Sequence, residues 1–573
     1  MLIALRARLT ESLSSEATFS SRALFGLLLA LLGAGLLWVL NIPANVHPDE
    51  RLYTDAALQM VRTGDYWTPT YPDGRPRLVK PILTYWALTG SFHAFGINLF
   101  TSRLASAFAG VLVVCLTFQL ARAVTNCRRT SFVAAAIIAA NIKLLITATR
   151  ATPDVFLCLF TLLSLWGFAR ILFLQDQSFL GPLLAFGGTG LAVQTKGLLG
   201  VWPLATVAVF WLVGKPARGF RGKLLQWPAI ALGIFLAVFW YIVMLHRHGS
   251  GALQDFFQDQ VGTRVSRNPL SMLANVAAYL VTGLQHFLPW TLLLMAIGLR
   301  QRTALAAFWR DHRRQMLFAL IPFVLLTAVL SFGTVRAQRY LSSAFPMLAV
   351  LFAMVLVNIP LNQQVWSWVR GLGWLAAALT ILIGASLSIL GTIGCELLIP
   401  AGAALLAVGI AGIMALRSGD RTWCWVWIAA LISTTFVVDR ASLQSLLSPQ
   451  ALPPLAKTLL QQNSPGTPIY TWQVRPSRAG LLRLLTEGKF PIGQLKANGE
   501  LPDFSGAQLV VTTSPDESLF RQAGYDVVQI AAESSTCAPI QDLAHHFWPG
   551  KAKKAVSARE TYWLATQGSR KTE

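Results

Sequence analysis

Long apolar segments separated by short polar loops follow one another along most of this 573-residue chain. Most of them approach the ~20 residues that a helix needs to cross the hydrocarbon core of a bilayer. The pattern predicts about thirteen spans, at 22–41, 101–123, 131–147, 154–174, 180–195, 198–213, 228–245, 273–298, 316–332, 341–359, 370–391, 398–416 and 423–438. We therefore expect an all-α polytopic membrane protein.

The first loop, residues 42–100, departs from this pattern because charged residues are concentrated in it. Within it, residues 52–61 place apolar and polar side chains at helical spacing, which predicts a short amphipathic helix. Residues 81–95 are apolar and aromatic, but ~15 residues are too few to span a bilayer. Both segments are expected to lie along the membrane interface.

The positions of Lys and Arg predict the orientation of the spans. The net charge of +22 comes largely from short loops between apolar segments, and Lys and Arg recur in alternate loops or at the adjoining span ends along the chain. Basic loops face the cytoplasm, so the N-terminus is predicted to be cytoplasmic. The opposite side then receives 42–100, 148–153, the turn at Lys196, 246–272, 333–340, 392–397 and everything after 439. The charge thus indicates topology and not nucleic-acid binding.

The composition changes after Asp439, where several prolines replace the apolar segments. Residues 1–439 are predicted to form the transmembrane domain and residues 440–573 a small soluble α/β domain on the outer side. Alternating and β-branched patterns predict strands at 469–474, 508–512 and 525–530, with helices at 479–487 and 517–523.

Charged residues interrupt the apolar pattern on the predicted outer side. Asp49 and Glu50 follow the first span, and Asp154 opens the fourth. The cations on the same side include Lys80, Lys196, Arg264, Arg336 and Arg339. Acids suit a general base or a metal ligand, and the cations suit a phosphate. Because apolar residues flank these cations, the predicted ligand is a phosphate on a polyprenyl chain.

Cysteine and histidine add no site to this prediction. The six cysteines are scattered without a CxxC pair, and the histidines share no metal-ligand spacing on one helix.

The stretch 47–86, HPDERLYTDAALQMVRTGDYWTPTYPDGRPRLVKPILTYW, resembles the first outer loop of bacterial aminoarabinose (4-amino-4-deoxy-L-arabinose) lipid A transferases and related protein-mannosyltransferase-like enzymes. The matching positions are Asp49, Glu50 and Tyr53, then Gly64, Asp65, Tyr66, Trp67 and Pro69, then Lys80, Pro81, Tyr85 and Trp86. Further matches occur at 102–104, 152–154, 195–197, 256–264 and 339–346, so the resemblance covers about residues 20–360.

This resemblance implies the GT-C fold and an inverting glycosyltransferase of the bacterial inner membrane. Such an enzyme moves a sugar from a polyprenyl-phosphate donor to a lipid such as lipid A on the periplasmic face. It implies catalytic roles for Asp49, Glu50 and Asp154, donor-phosphate binding by Lys80, Lys196, Arg264, Arg336 and Arg339, and a pocket lined by Tyr53, Tyr85 and Tyr340. Asp49 and Asp154 would also hold any divalent metal.

One departure from the family pattern concerns Val79, which stands where relatives often carry an acidic residue. One expected oxygen ligand of a metal is therefore absent, and a different sugar or acceptor would also account for the change.

Two alternatives to this function remain open. A protein O-mannosyltransferase would differ chiefly in its acceptor. A transporter or flippase for lipid-linked sugars often has internal repeats and broken helices in both halves. No repeat is found in this chain, and its charged residues lie at one predicted face.

Overall fold

Helices dominate the computed structural model of this chain. It describes residues 25–26, 28–43, 47–175, 178–214, 225–251, 256, 268–334, 338–359, 362–392, 398–418, 421–440, 452–495, 497–498, 501–502, 509–513, 517–522, 525–531 and 562–567.

The helices are, in chain order, α1 Leu28–Leu40, α2 Glu50–Thr63, α3 Leu83–Phe95, α4 Leu99–Thr125, α5 Arg128–Ala139, α6 Ile142–Ala148, α7 Asp154–Phe173, α8 Leu180–Lys196, α9 Trp202–Gly214, α10 Trp227–His248, α11 Pro269–His286, α12 Trp290–Arg300, α13 Arg302–Asp311, α14 Arg313–Ser331, α15 Gln338–Leu341, α16 Phe345–Asn358, α17 Gln363–Thr392, α18 Leu398–Ser418, α19 Arg421–Val438, α20 Leu452–Gln462, α21 Pro476–Leu485 and α22 Glu517–Gln522.

The described residues contain eight helical segments long and apolar enough to cross a membrane, or ten if each of two bent pairs counts as one span. The bent pairs are α5 with α6, at 63°, and α11 with α12, at 101°. The polytopic all-α prediction is confirmed, and the count of about thirteen stays a prediction.

The break between α5 and α6 falls inside the predicted span 131–147. Asn141 precedes α6, and its side chain accepts hydrogen bonds from the backbone N–H groups of Lys143 and Leu144, 3.1 and 3.2 Å away. Such a cap satisfies the free N–H groups of a helix start, so a new helix begins there.

Close packing of α7 against α8 brings the ends of these two helices together. A Cβ on Gly167 would lie 2.3 Å from the backbone nitrogen of Ala185, and one on Gly188 would lie 2.6 Å from that of Ser164. Small residues let apolar helices approach closely in a membrane. The N-terminus of α7 therefore lies beside the C-terminus of α8, and these ends carry Asp154 and Lys196.

The first loop contains two helices, as the sequence predicts. The amphipathic helix is α2, and the apolar segment forms α3, whose 13 residues are too few for a span. The two helices pack together, and the rings of Tyr53 and Tyr85 lie 5.5 Å apart.

Strands appear only in the C-terminal part of the described chain, apart from isolated bridges such as Thr70–Pro76 in the first loop. They are β1 Ile469–Trp472, β2 Ile492–Gln494, β3 Ala497–Asn498, β4 Leu501–Pro502, β5 Leu509–Thr512, β6 Tyr525–Ala531 and β7 Tyr562–Gln567. Five of them form a sheet in the order β2-β1-β5-β7-β6, parallel at β2-β1-β5 and antiparallel beyond. The three predicted strands are confirmed as β1, β5 and β6, whereas β2, β3, β4 and β7 were not predicted.

The C-terminal region packs on the helices of the first loop. Arg483 of α21 forms a buried ion pair with Asp55 of α2, at 2.7 Å. Arg62 of α2 donates to the carbonyl oxygen of Phe490, 2.8 Å away. Buried apolar residues of both parts also form one cluster. The C-terminal region and the first loop therefore lie on the same side, whereas the predicted domain boundary at 439 stays a prediction.

Candidate functional site

Four charged side chains from distant parts of the sequence meet at the ends of helices. Asp49 forms an ion pair with Arg339, and Asp154 forms one with Lys196. Arg339 links the two pairs, since its Nε lies 4.0 Å from Oδ1 of Asp154. We call these four residues the charge cluster. The structure thus brings together four of the eight predicted catalytic and phosphate-binding residues.

Local structure explains how each member of the charge cluster is held. Asp49 directly precedes α2, and Asp154 is the first residue of α7. Lys196 is the last residue of α8, which ends at Gly197 with a φ of 67°. Acids are stabilised at a helix N-terminus and cations at a C-terminus. The helix ends therefore favour the charges that they carry.

The charge cluster has a buried end and an accessible end. The side chains of Asp154 and Lys196 are each 4% exposed, whereas those of Asp49 and Arg339 are about one third exposed, at 34% and 35%. The ammonium nitrogen of Lys196 also lies 3.6 Å from the centre of the Tyr340 ring. A substrate would therefore meet Asp49 and Arg339 first, with the Lys196 pair behind them.

Glu50, the neighbour of Asp49, has both carboxylate oxygens engaged elsewhere. Its Oε1 accepts from Nε of Arg103 and from the backbone N–H of Ala151, both at 2.9 Å. Its Oε2 accepts from Nη2 of Arg103 at 3.1 Å and from the backbone N–H of His47 at 2.7 Å. These contacts fit a residue that positions the loops carrying Asp49 and Asp154. The catalytic role that the resemblance implies for Glu50 stays a prediction.

Arg103 of α4 completes this support. Its side chain is fully buried, and Nη1 donates to the carbonyl oxygens of Leu40 and Ile42 at 3.0 and 3.1 Å. Arg103 therefore connects the end of α1 to α4. Through Glu50, it also connects α4 to the start of α2 and to the turn before α7.

Replacing Arg103 by Met is expected to destabilise the protein strongly, because Glu50 would remain as a buried charge without its cation. Removing one partner of a buried ion pair costs about 3–5 kcal/mol. The measurement is thermal unfolding in detergent. Arg75→Met is the control, since Arg75 is 79% exposed. Equal unfolding temperatures for both variants would contradict this role of Arg103.

His47 forms a hydrogen bond with the backbone of Asp49. Its Nδ1 accepts a hydrogen bond from the backbone N–H of Asp49, at 3.1 Å. Burial lowers the pKa of His47, and the neighbouring Arg150 lowers it further. The ring is therefore neutral at neutral pH, which leaves Nδ1 free to accept.

Tyr53 and Tyr85, two predicted pocket residues, surround Arg77. Nη1 of Arg77 donates to the hydroxyl of Tyr85, and its guanidinium lies 5.1 Å from the centre of the Tyr53 ring. Burial raises the pKa of Tyr53 well above its ordinary value, and the charge of Asp154 contributes to this rise. Tyr53 is thus within electrostatic reach of Asp154, and its role in the pocket stays a prediction.

The remaining predicted phosphate ligands are described only in part. Lys80 is buried, at 8% exposed, in the turn before α3. Arg264 and Arg336 lie outside the described residues. The sequence reading did not assign roles to Arg77 or Arg103, although a cation amid aromatic residues and a cation inside an apolar helix were both visible signals.

Within the described part of the chain, the carboxylates of the charge cluster do not fit a divalent metal. Among the described residues, no group of three or more His, Cys, Asp or Glu side chains could hold a metal ion. Asp49 and Asp154 are each paired with a cation, and those cations would repel Mg²⁺ or Zn²⁺. The metal expected at these two carboxylates stays a prediction.

Comparison with known proteins agrees with this fold. Residues 79–244 match the family described as dolichyl-phosphate-mannose-protein mannosyltransferase. An uncharacterized protein of Aquifex aeolicus is 28% identical over 371 residues, which cover 63% of this chain and 69% of that protein. An undecaprenyl phosphate-alpha-4-amino-4-deoxy-L-arabinose arabinosyl transferase of Pseudomonas fluorescens is 28% identical over 355 residues, or 60% of this chain. The match spans 58% of the length of that transferase.

The apo crystal structure of ArnT from Cupriavidus metallidurans is similar across almost the whole chain. Its TM-score is 0.70 at 18% identity, covering 96% of this chain and 98% of that one. The structure of the same protein bound to undecaprenyl phosphate gives a TM-score of 0.69 with the same coverage.

The chain is therefore a polytopic membrane protein with the GT-C fold. Its sequence is similar to the aminoarabinose transferases and, over residues 79–244, to the dolichyl-phosphate-mannose-protein mannosyltransferase family.

Proposed function

We propose that this protein is an inverting glycosyltransferase of the bacterial inner membrane. It takes a sugar from a polyprenyl-phosphate donor and transfers it to a lipid acceptor such as lipid A on the periplasmic face. The observation that carries the proposal is the charge cluster, in which acids and cations meet at the ends of membrane helices. The named transferase relative and the undecaprenyl phosphate bound to ArnT support a polyprenyl-phosphate donor.

Asp49 acts on the acceptor in this mechanism. Its carboxylate is at the accessible end of the charge cluster, where an acceptor can approach. A carboxylate within hydrogen-bond reach takes the proton of an attacking hydroxyl as its oxygen bonds to the anomeric carbon. If the acceptor is an ionised phosphate, no proton needs to leave, and the Asp49–Arg339 pair orients the attacking oxygen instead.

Arg339 and Lys196 act on the leaving group. As the bond between the sugar and the phosphate breaks, negative charge grows on the departing polyprenyl phosphate. Cations already fixed at that place stabilise the transition state more than the ground state. Asp154 holds both cations in position, since it contacts each of them. Lys80, Arg264 and Arg336 are the further donor-phosphate ligands of this proposal.

A transfer reaction fits the structure better than transport. The members of the charge cluster sit at the N-termini of α2 and α7 and at the C-terminus of α8, with Arg339 in the short helix α15. Transporter sites lie near the bilayer midplane, where helices are interrupted. A protein acceptor remains the alternative within the enzyme class, because the family match includes mannosyltransferases that act on proteins.

The test uses the purified chain in lipid nanodiscs with undecaprenyl phosphate carrying a radiolabelled sugar, and lipid A or a periplasmic protein extract as acceptor. Labelled lipid A, identified by mass spectrometry, is the expected product. Label only on protein would favour the mannosyltransferase alternative. In sealed vesicles, label that crosses the membrane without covalent transfer would favour a flippase.

Chelation of divalent metals is expected to leave transfer unchanged within about twofold, because Arg339 and Lys196 already supply the positive charge that a metal would contribute at the phosphate. Transfer is measured before and after dialysis against EDTA. A loss of activity that added Mg²⁺, Mn²⁺ or Zn²⁺ restores would show instead that Asp49 and Asp154 hold a metal.

A further inference from the structure

Arg77 is a buried cation whose charge no nearby acid balances. Its residue is 4% exposed, and among the described residues no carboxylate lies within ion-pair distance of it. Its Nε is also buried and has no hydrogen-bond partner among the described residues. Buried charges are ordinarily paired, because an unpaired charge is costly away from water. Arg77 therefore has unused binding capacity.

The tyrosines around Arg77 cannot neutralise it. The rings of Tyr53, Tyr71 and Tyr85 lie 5.1, 5.8 and 5.9 Å from its guanidinium carbon. Burial raises the pKa of Tyr85 to about 12 and that of Tyr53 well above its usual range. Both are therefore neutral phenols at physiological pH. They hold the guanidinium by ring contacts and one hydrogen bond, which leaves its full positive charge in place.

The positive and negative charges within the charge cluster already balance each other. It contains two carboxylates, Asp49 and Asp154, and two cations, Arg339 and Lys196. Tyr53 lies between the two groups electrostatically: its ring centre is 5.1 Å from the guanidinium carbon of Arg77, and the charge of Asp154 contributes to its raised pKa. The two acids and two cations of the charge cluster balance each other, so the cluster has no spare acid for Arg77, and a bound anion would balance its charge.

We propose that Arg77, held by Tyr53, Tyr71 and Tyr85, binds a carboxylate or phosphate of the sugar or the acceptor, in addition to the donor phosphate handled by the charge cluster. The assignment rests on the proposed function and narrows its substrates. A guanidinium is suited to such groups because its N–H bonds match two oxygens at once. Tyr71 is the only one of the three rings that is partly exposed, so the ligand enters on its side.

This assignment predicts that the substrate of this chain differs from that of transferases that use a cationic sugar. The amino group of 4-amino-4-deoxy-L-arabinose is positively charged at neutral pH, and the buried charge of Arg77 would repel it if the two lie close together. An acidic sugar, or a phosphorylated acceptor carrying a neutral sugar, would bind without that repulsion.

The test compares matched probes in binding to the full-length protein in nanodiscs. In the donor arm, undecaprenyl phosphate–glucuronic acid is compared with undecaprenyl phosphate–glucose. In the acceptor arm, lipid A is compared with dephosphorylated lipid A. We expect the wild type to bind the acidic member of one pair about tenfold more tightly, as a paired guanidinium contact would provide. The arm that shows the preference identifies the source of the anion.

Three variants define the role of Arg77. Arg77→Gln should reduce the preference to less than about twofold, and Arg77→Lys should keep part of it, because a lysine keeps the charge but not the paired geometry. Arg247→Gln is the control, since Arg247 is an exposed arginine that is paired with Asp65, 3.0 Å away. A wild type with no preference in either arm, or an Arg77→Gln variant that keeps it, overturns the assignment. A wild type that does not bind undecaprenyl phosphate itself overturns the proposed function as well.

Discussion

Asp49→Asn is expected to abolish sugar transfer while the protein stays folded. The substitution keeps the size of the side chain and removes the charge that accepts a proton or balances Arg339. Loss of a positioned general base lowers rates by about 10²–10⁴, and we expect a loss in that range. Because the Asp49 side chain is about one third exposed, at 34%, an amide there leaves no buried charge unpaired. Transfer rate and thermal unfolding in detergent are measured together.

Asp73→Asn is the matched control for Asp49. Asp73 lies in the same loop, and it is also paired with an arginine, Arg75, but this pair is exposed and has no ion pair with the charge cluster among the described residues. Its transfer rate should stay within about twofold of the wild type, as for most surface changes. An Asp49→Asn protein that transfers sugar as fast as Asp73→Asn would remove Asp49 from the mechanism.

The meeting of Asp49, Asp154, Lys196 and Arg339 could be predicted because each adjoins the end of a predicted apolar segment. Loops on one side of a membrane are confined to a thin layer. Residues that are far apart in the sequence can therefore lie close together in space. Orientation from loop charges placed all four in the same layer. The ion pairs observed between them agree with that prediction.

The different partners of Asp49 and Glu50 could not be predicted in this way. The resemblance groups the two acids together, but consecutive residues at the start of a helix point roughly 100° apart. Glu50 consequently turns to Arg103 inside the bundle, whereas Asp49 faces Arg339. The partner of Glu50 lies on a different helix, 53 positions along the chain, and its identity depends on how α4 packs.

The number of spans could also not be predicted from the hydropathy pattern alone. A window of apolar residues does not register a bend of 63° or 101° between two helices. The cap at Asn141 was the local signal for one of these breaks. Similarly, β7 was missed because it acquires its strand partners, β5 and β6, from earlier parts of the chain.

Variants of the buried Asp154–Lys196 pair are expected to distinguish its contribution to stability from its contribution to activity. Lys196→Met leaves Asp154 charged and buried at 4% exposure, and it should cost about 3–5 kcal/mol of unfolding free energy. The double variant Asp154→Asn with Lys196→Met removes both charges. Most of that stability should return, because neutral groups of similar volume often replace a buried ion pair without loss. Transfer should stay abolished, since no ammonium remains to stabilise the departing phosphate.

The exposed pair Glu487–Lys489 provides the control for this double-mutant cycle. Its atoms lie 2.6 Å apart, but its side chains are about half exposed, so its coupling should be about 0–1 kcal/mol. Unfolding in detergent and transfer by nanodisc assay are measured for each corner of both cycles. A buried pair that couples no more strongly than Glu487–Lys489 would show that it does not hold the bundle together. A double variant that transfers sugar would show that Lys196 acts only as structural support, and the leaving phosphate would then depend on Arg339.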